Sequence, residues 1–292
     1  MRYRIRHETR FSYGAPVRFA RCNLRLKPIL WSGQTLVDHE LSVEPSGRTS
    51  LARADASLAN VTRLVIEEPV TALAITSIAT VDVMRPIPVP AGDDLDLAAV
   101  AKLARDSRDV SAASPANYLF PSPMVALDPA IAAWCAPSLA PERGVLDAAI
   151  ELARRIQEEF TYDPDATKTE TPPAEAFARR VGVCQDFAQV MISGLRSAGL
   201  PAAYVSGYLR TLPPEGEPRL VGADATHAWV LIWTGPTHGW VGVDPTNGIW
   251  MAGDHIVTAI GRDYSEVAPI DGVFLGNGAQ SMTVSVDVAP VE

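Results

Sequence analysis

Three residues of this chain have types and neighbours suited to covalent catalysis: Cys184, His227 and Asp244. Cys184 sits in Gly182-Val183-Cys184-Gln185-Asp186-Phe187-Ala188, which opens an apolar-periodic run. Phe187, Val190, Met191 and Leu195 fall on one helix face, and Gly199 with Pro201 beyond it stops the run. The cysteine therefore falls near the N-terminus of a helix about four turns long. There the unpaired N–H groups and the helix dipole favour an anion, the setting a reactive thiol requires. His227 lies in Asp224-Ala225-Thr226-His227-Ala228-Trp229-Val230, which leads into a strand ending near Thr234. Gly235-Pro236-Thr237-His238-Gly239 signals a turn, and Trp240-Val241-Gly242-Val243-Asp244-Pro245-Thr246 returns as a second strand. If the two strands form a hairpin, His227 and Asp244 lie nearly opposite one another at its open end.

A nucleophile, a base and a carboxylate orienting that base are the three parts of acyl transfer through a covalent intermediate. Cys184 would attack a carbonyl carbon, and His227 would carry the proton to the leaving amine. Asp244 would fix the imidazole tautomer and steady its positive charge. Asp224 is a rival orienter, but its odd offset from His227 along a strand sends it to the opposite face, so Asp244 ranks ahead.

These residues need a scaffold, and the chain reads as two unlike parts. Up to about residue 85 it is β-rich. Tyr3, Ile5, His7, Thr9 and Phe11 alternate with arginines, as in a strand with one wet face. Gly14-Ala15-Pro16 is read as a break, after which Val17 to Leu26 resumes the alternation. Leu36–Val43, Val61–Ile66 and Ala72–Val83 are further strand candidates. Pro86-Ile87-Pro88-Val89-Pro90-Ala91-Gly92 reads as an extended linker, and Asp93 and Asp94 as caps of a helix over Leu95 to Ala104. Helices over Ala130–Cys135 and Val145–Phe160 follow, then strands at Ala203–Leu209, His227–Thr234, Trp240–Asp244 and Met282–Val288. The reading is an α+β protein: an N-terminal, sandwich-like β domain over 1–90 and an α+β core over 91–292.

Composition narrows the chemistry. With 25 Lys and Arg against 34 Asp and Glu, the net charge of −9 argues against broad binding to nucleic acid or anionic membrane. The basic N-terminus lacks the apolar run of a signal peptide, so a soluble, cytoplasmic protein is the default expectation. Three cysteines form no disulfide framework; Cys22 and Cys135 fall in apolar contexts that explain them by burial. Asp163-Pro164-Asp165-Ala166-Thr167-Lys168-Thr169 lacks the glycine and glutamate of a calcium loop and reads as a polar loop. His7, His39, His238 and His255 are too scattered for a zinc site, and no glycine-rich phosphate loop is present. No metal and no cofactor are expected; the partner would be a peptide or protein amide.

The Cys184 segment, together with Pro201-Ala202-Ala203-Tyr204-Val205-Ser206-Gly207-Tyr208, Thr226-His227-Ala228-Trp229 and Val243-Asp244-Pro245-Thr246-Asn247, resembles the transglutaminase-like core. The opening strands to about Pro28, and the tail Gly261-Arg262-Asp263-Tyr264-Ser265-Glu266-Val267-Ala268-Pro269-Ile270, resemble a bacterial group carrying that core. The resemblance implies a papain-related fold in which a helix-borne cysteine faces a histidine and an aspartate on adjacent strands of an antiparallel sheet. It implies a cysteine enzyme acting on amide bonds through a thioester. The acyl acceptor stays open: water in a hydrolase, an amine in a cross-linking transferase. A non-catalytic binding module on the same fold is the reading from another class. Gln189 stands where many relatives have histidine, and the upstream tryptophan of the animal oxyanion hole has no match near Val145–Ala149. The Cys184 N–H would be one oxyanion donor, with Tyr162, Gln185 and Trp229 as candidates for the second or for substrate binding.

Overall fold

The computed structural model describes residues 1–52, 57–88, 94–211 and 225–291. Asp224 and part of the proline-rich linker lie outside these. Six strands open the chain: β1 (Arg2–Val17), β2 (Phe19–Lys27), β3 (Gln34–Glu44), β4 (Arg48–Ala52), β5 (Leu58–Ile66) and β6 (Val70–Val83). The alternation of β1 is realised as read, with Tyr3, Ile5, Phe11 and Tyr13 buried and Arg2, Arg4, Arg6 and Arg10 exposed. Gly14-Ala15-Pro16 does not end the strand. The irregularity is absorbed as a register shift against β6 between Ser12 and Val17, a device that accommodates a proline without a donor N–H.

The remaining elements are α1 (Leu97–Arg105), α2 (Pro129–Cys135), α3 (Val145–Glu159), β7 (Thr161–Tyr162), α4 (Pro173–Arg179), β8 (Val181–Gly182) and α5 (Cys184–Ser197). They continue with β9 (Ala202–Leu209), β10 (Ala225–Trp233), β11 (Trp240–Asp244), β12 (Ile249–Trp250), β13 (His255–Gly261), α6 (Tyr264–Val267), β14 (Ile270–Leu275) and β15 (Gln280–Val291). Asp96, rather than Asp94, caps α1, its carboxylate accepting the Ala99 N–H at 2.7 Å, and Asp93 lies outside the described residues. Asp94 serves α3 instead, accepting the Leu146 N–H at 3.2 Å.

The strands form two large sheets. One has the order β15-β1-β6-β3, and the other β12-β11-β10-β9-β13-β5-β2-β14 with β4 beside β5. The second sheet joins the two parts of the chain where Ala59 and Leu58 pair with Ala259 and Ile260. The first sheet closes over it through Phe11, Leu24, Leu64 and Ile75 at one end, and through Tyr3, Ile5, Tyr208 and Ile256 at the other. β15, read from sequence with the core, hydrogen-bonds along β1 from Arg2↔Val291 to Tyr13↔Gln280. A division at residue 90 is thus crossed by the C-terminal strands. The helices cover the core half of the second sheet. Phe187, Val190, Met191 and Leu195 of α5 pack with Tyr204, Ala228, Val230 and Ile232, and each large side chain so buried contributes about 1.5–3 kcal/mol.

Candidate active site

The segment that delivers Cys184 begins at the end of α4, where Arg180 adopts φ 56°, a left-handed conformation unusual for a residue other than glycine. Its guanidinium lies 4.1 Å from the Phe177 ring and 4.7 Å from those of Trp134 and Phe160. These cation–π contacts help offset a backbone cost of about 1–3 kcal/mol. The turn lays Val181 and Gly182 parallel to Thr161 and Tyr162. A Cβ on Gly182 would stand 2.6 Å from Asp186 Oδ2, so only glycine leaves room for that carboxylate. Asp186 uses the space to accept the Val183 N–H at 2.8 Å and the Thr167 hydroxyl at 2.6 Å. Burial pushes the Asp186 carboxyl up, and these two bonds pull it part of the way back. The helix then starts on Cys184, half-buried, with the N–H groups of Cys184 and Gln185 lacking intrahelical acceptors.

The hairpin is in the register Val230↔Val243 and Trp233↔Trp240, which brings His227 and Asp244 together at its open end. His227 Nε2 lies 2.8 Å from Asp244 Oδ2. Its other ring nitrogen, Nδ1, is left for Cys184, which acts on the same imidazole. Asp244 is fully buried and His227 only 9% exposed. Burial alone would push the imidazole down, but the hydrogen bonds and charges of Asp244 and Cys184 outweigh it and raise His227 to about 10. Burial likewise opposes the Asp244 carboxylate, yet its bonds to His227 and His255 hold it well below the usual carboxylate range. Oδ1 accepts the N–H groups of Thr246 (2.9 Å) and Asn247 (3.3 Å). Oδ2 also receives Asn247 Nδ2 at 2.6 Å and His255 Nε2 at 3.2 Å.

The other sequence candidates fare differently. Tyr162 is 54% exposed, in register with Gly182, and its hydroxyl is pushed up by burial and then by Cys184, so it borders the thiol. Gln185 donates its amide to the Thr169 carbonyl at 2.8 Å. That bond ties the loop after β7 to the helix start, a different task from donating to an oxyanion. Trp229 is fully buried, with Nε1 donating to Met251 Sδ at 2.9 Å and the ring stacked 6.0 Å from that of His227. It supports the histidine from beneath and has no surface to offer a substrate. Gly207 permits this, since a Cβ there would collide with the Trp229 ring.

Sequence reasoning missed His255, and with it Tyr204 and Tyr264, whose rings meet at 6.2 Å. Burial pushes both hydroxyls up and the Cys184 charge adds to it, which marks them as neighbours of the thiol. The Gly261–Ile270 tail was legible as a motif, but nothing in its residue types tells that Asp263, fully buried and bonded to Ser265 and Met124, anchors the turn presenting Tyr264. Among the described residues, no group of three or more His, Cys, Asp or Glu is arranged to hold a metal. No helix among them is long and apolar enough to cross a membrane.

Comparison with known proteins adds an independent line. Residues 132–245 match the transglutaminase-like superfamily core, and residues 3–82 match the bacterial transglutaminase-like N-terminal region. An uncharacterized protein of Mycobacterium tuberculosis is 36% identical over 297 residues, spanning 100% of this chain and 93% of the relative. A protein-glutamine gamma-glutamyltransferase of Pseudomonas aeruginosa is 41% identical over 88 residues, 30% of this chain and 13% of that protein. The crystal structure of a proposed cysteine protease from Cytophaga hutchinsonii has a similar fold, with a TM-score of 0.72 at 20% identity, covering 100% of this chain and 92% of the other.

Proposed function

The chain belongs to the transglutaminase-like superfamily, and from that premise we propose that it is a cysteine enzyme that cleaves amide bonds through a thioester on Cys184. The observation that carries the proposal is that His227 Nε2 lies 2.8 Å from the fully buried Asp244 carboxylate while Cys184, half-buried at the start of α5, acts on the same imidazole, which is raised to about 10. A histidine so raised is cationic at neutral pH and favours a thiolate beside it.

In the proposed reaction the Cys184 sulfur attacks the carbonyl carbon, and the C–O π pair moves to oxygen. Helix-start N–H groups, with the Tyr162 hydroxyl as a second donor, receive that oxyanion. As the C–N bond breaks, His227 gives its proton to the leaving amine and a thioester remains. Neutral His227 then takes a proton from water, the hydroxide adds to the thioester, and the acid leaves as the sulfur departs. Asp244 stays ionised throughout and stabilises the imidazolium.

The match to a protein-glutamine gamma-glutamyltransferase favours a second reading, in which an amine replaces water as acceptor. Incubating the full chain with a panel of peptides, isopeptides and glutamine-containing peptides plus a labelled primary amine separates the two by product mass. Free acid and released amine support hydrolysis, whereas incorporated label supports transfer. No product from any amide, together with no Cys184-bound acyl mass, would count against both.

A further inference from the structure

His255 is buried at 1% exposure, lies outside the Cys184–His227–Asp244 series, and touches Asp244. We propose that His255 is a positioning residue that shares Asp244 Oδ2 with His227 and thereby limits how tightly the carboxylate holds the imidazolium proton. The proposal rests on the catalytic reading above.

The geometry fixes the state of the ring. The Ala252 N–H points at His255 Nδ1 at 3.3 Å, so Nδ1 acts as acceptor and the proton resides on Nε2. Nε2–H then donates to Asp244 Oδ2 at 3.2 Å, the same oxygen that lies 2.8 Å from His227 Nε2. Asn247 reaches that oxygen from the turn directly after Asp244, whereas His255 arrives at the start of β13, three strands away from β11 in the sheet. The two backbone carbonyls beside this contact, those of Ala252 and His255, accept from Arg85 Nη1 at 3.1 and 3.0 Å. The end of the N-terminal β region thus holds the segment bearing His255. The groups facing the ring are Asp244, His227 at 6.3 Å between centroids and the uncharged Trp229 at 5.2 Å, with Arg85 on its carbonyl.

An oxygen that accepts several donors gives less to each. A carboxylate bonded to His227 alone would hold its proton more tightly, and an imidazolium that is too weak an acid serves the leaving amine poorly. Removing the His255 donor should therefore strengthen the His227–Asp244 bond. A ring that only fills space would produce no such change.

The test uses the full chain labelled with ¹⁵N-histidine. In the unaltered protein at pH 7, the His255 nitrogens should report a singly protonated ring with the proton on Nε2. In His255→Phe, the His227 Nε2 proton should move downfield and the His227 titration midpoint should rise by about one pH unit, a tenfold gain in proton affinity. His255→Gln, which restores an N–H donor, should return both towards the original values. A proton on His255 Nδ1, or a His227 midpoint that falls or stays fixed in His255→Phe, would overturn the proposal. If His255→Phe fails to fold, the tautomer in the unaltered protein still decides. Failure of the catalytic reading is seen separately: Cys184 would show no preferential alkylation even with His255 in the Nε2–H form.

Discussion

His7 in the N-terminal β region and His227 in the core are both buried imidazoles, and the protein drives them in opposite directions. His7, 1% exposed, has two hydroxyl partners among the described residues: Tyr208 at 3.0 Å from Nδ1 and Thr9 at 3.0 Å from Nε2. Burial pushes it down to about 4. His227, 9% exposed, meets Asp244 and Cys184 and is raised to about 10. Desolvation acts on both; a carboxylate partner reverses its outcome in one. The contrast teaches that burial and residue type do not set the charge of a histidine, whereas the charge of its hydrogen-bond partner does.

The largest effect expected from breaking the series is at its end. Cys184→Ala leaves His227 and Asp244 in place but removes the nucleophile, so acyl transfer should fall by roughly 10³-fold or more, read as single-turnover product formation. Asp244→Asn makes His227 resemble His7, a buried imidazole without a carboxylate. Its titration midpoint should drop by several pH units and turnover by roughly 10- to 10³-fold. That loss is smaller than in a serine triad because a thiol depends less on its base.

The His7 side of the comparison is tested through stability. Its folded-state value lies below the unfolded 6.5, so the unfolded chain takes up the proton first and stability is lost as pH falls from 6.5 towards 4. The loss amounts to about 3 kcal/mol at pH 4. His7→Gln should lack this component, seen as a smaller difference in urea unfolding free energy between pH 7 and pH 4 than in the unaltered protein. His227 has the opposite sign: its contribution is fully present below 6.5 and is lost as pH rises through about 10. The smallest effect is expected from Thr9→Asp, which brings a carboxylate to His7. The difference in unfolding free energy between pH 7 and pH 4 should shrink by about 1 kcal/mol as His7 moves up, net of the cost of the new buried charge.

Much of this comparison could be read in the residues, and the exceptions share a cause. β1 alternates between wet and dry with period two, α5 carries Phe187, Val190, Met191 and Leu195 at helical spacing, and glycine and proline mark the turn between β10 and β11, so their places follow from sequence. The α+β class and the transglutaminase-like resemblance follow as well. β13 is not legible in the sequence because His-Ile-Val-Thr-Ala-Ile-Gly is buried at every position and offers no alternation. His255, on that strand, therefore stands isolated in the sequence. The burial of Trp229 depends on Gly207 in the adjacent strand, and the Gln185 bond on a loop carbonyl sixteen residues away. Contacts of this kind arise from packing between elements, which no local pattern encodes.

The central claim is that Cys184 is a nucleophile maintained by His227. Alkylation by iodoacetamide at pH 6, mapped by mass spectrometry in the folded chain and in His227→Ala, tests it most directly. Cys22 and Cys135 are fully buried, and burial pushes their thiols up to about 11 and about 12. The account predicts that Cys184 is modified first and that His227→Ala slows its modification by at least tenfold, through loss of the imidazolium. Modification of Cys22 or Cys135 ahead of Cys184, or a Cys184 rate indifferent to His227→Ala, would contradict it.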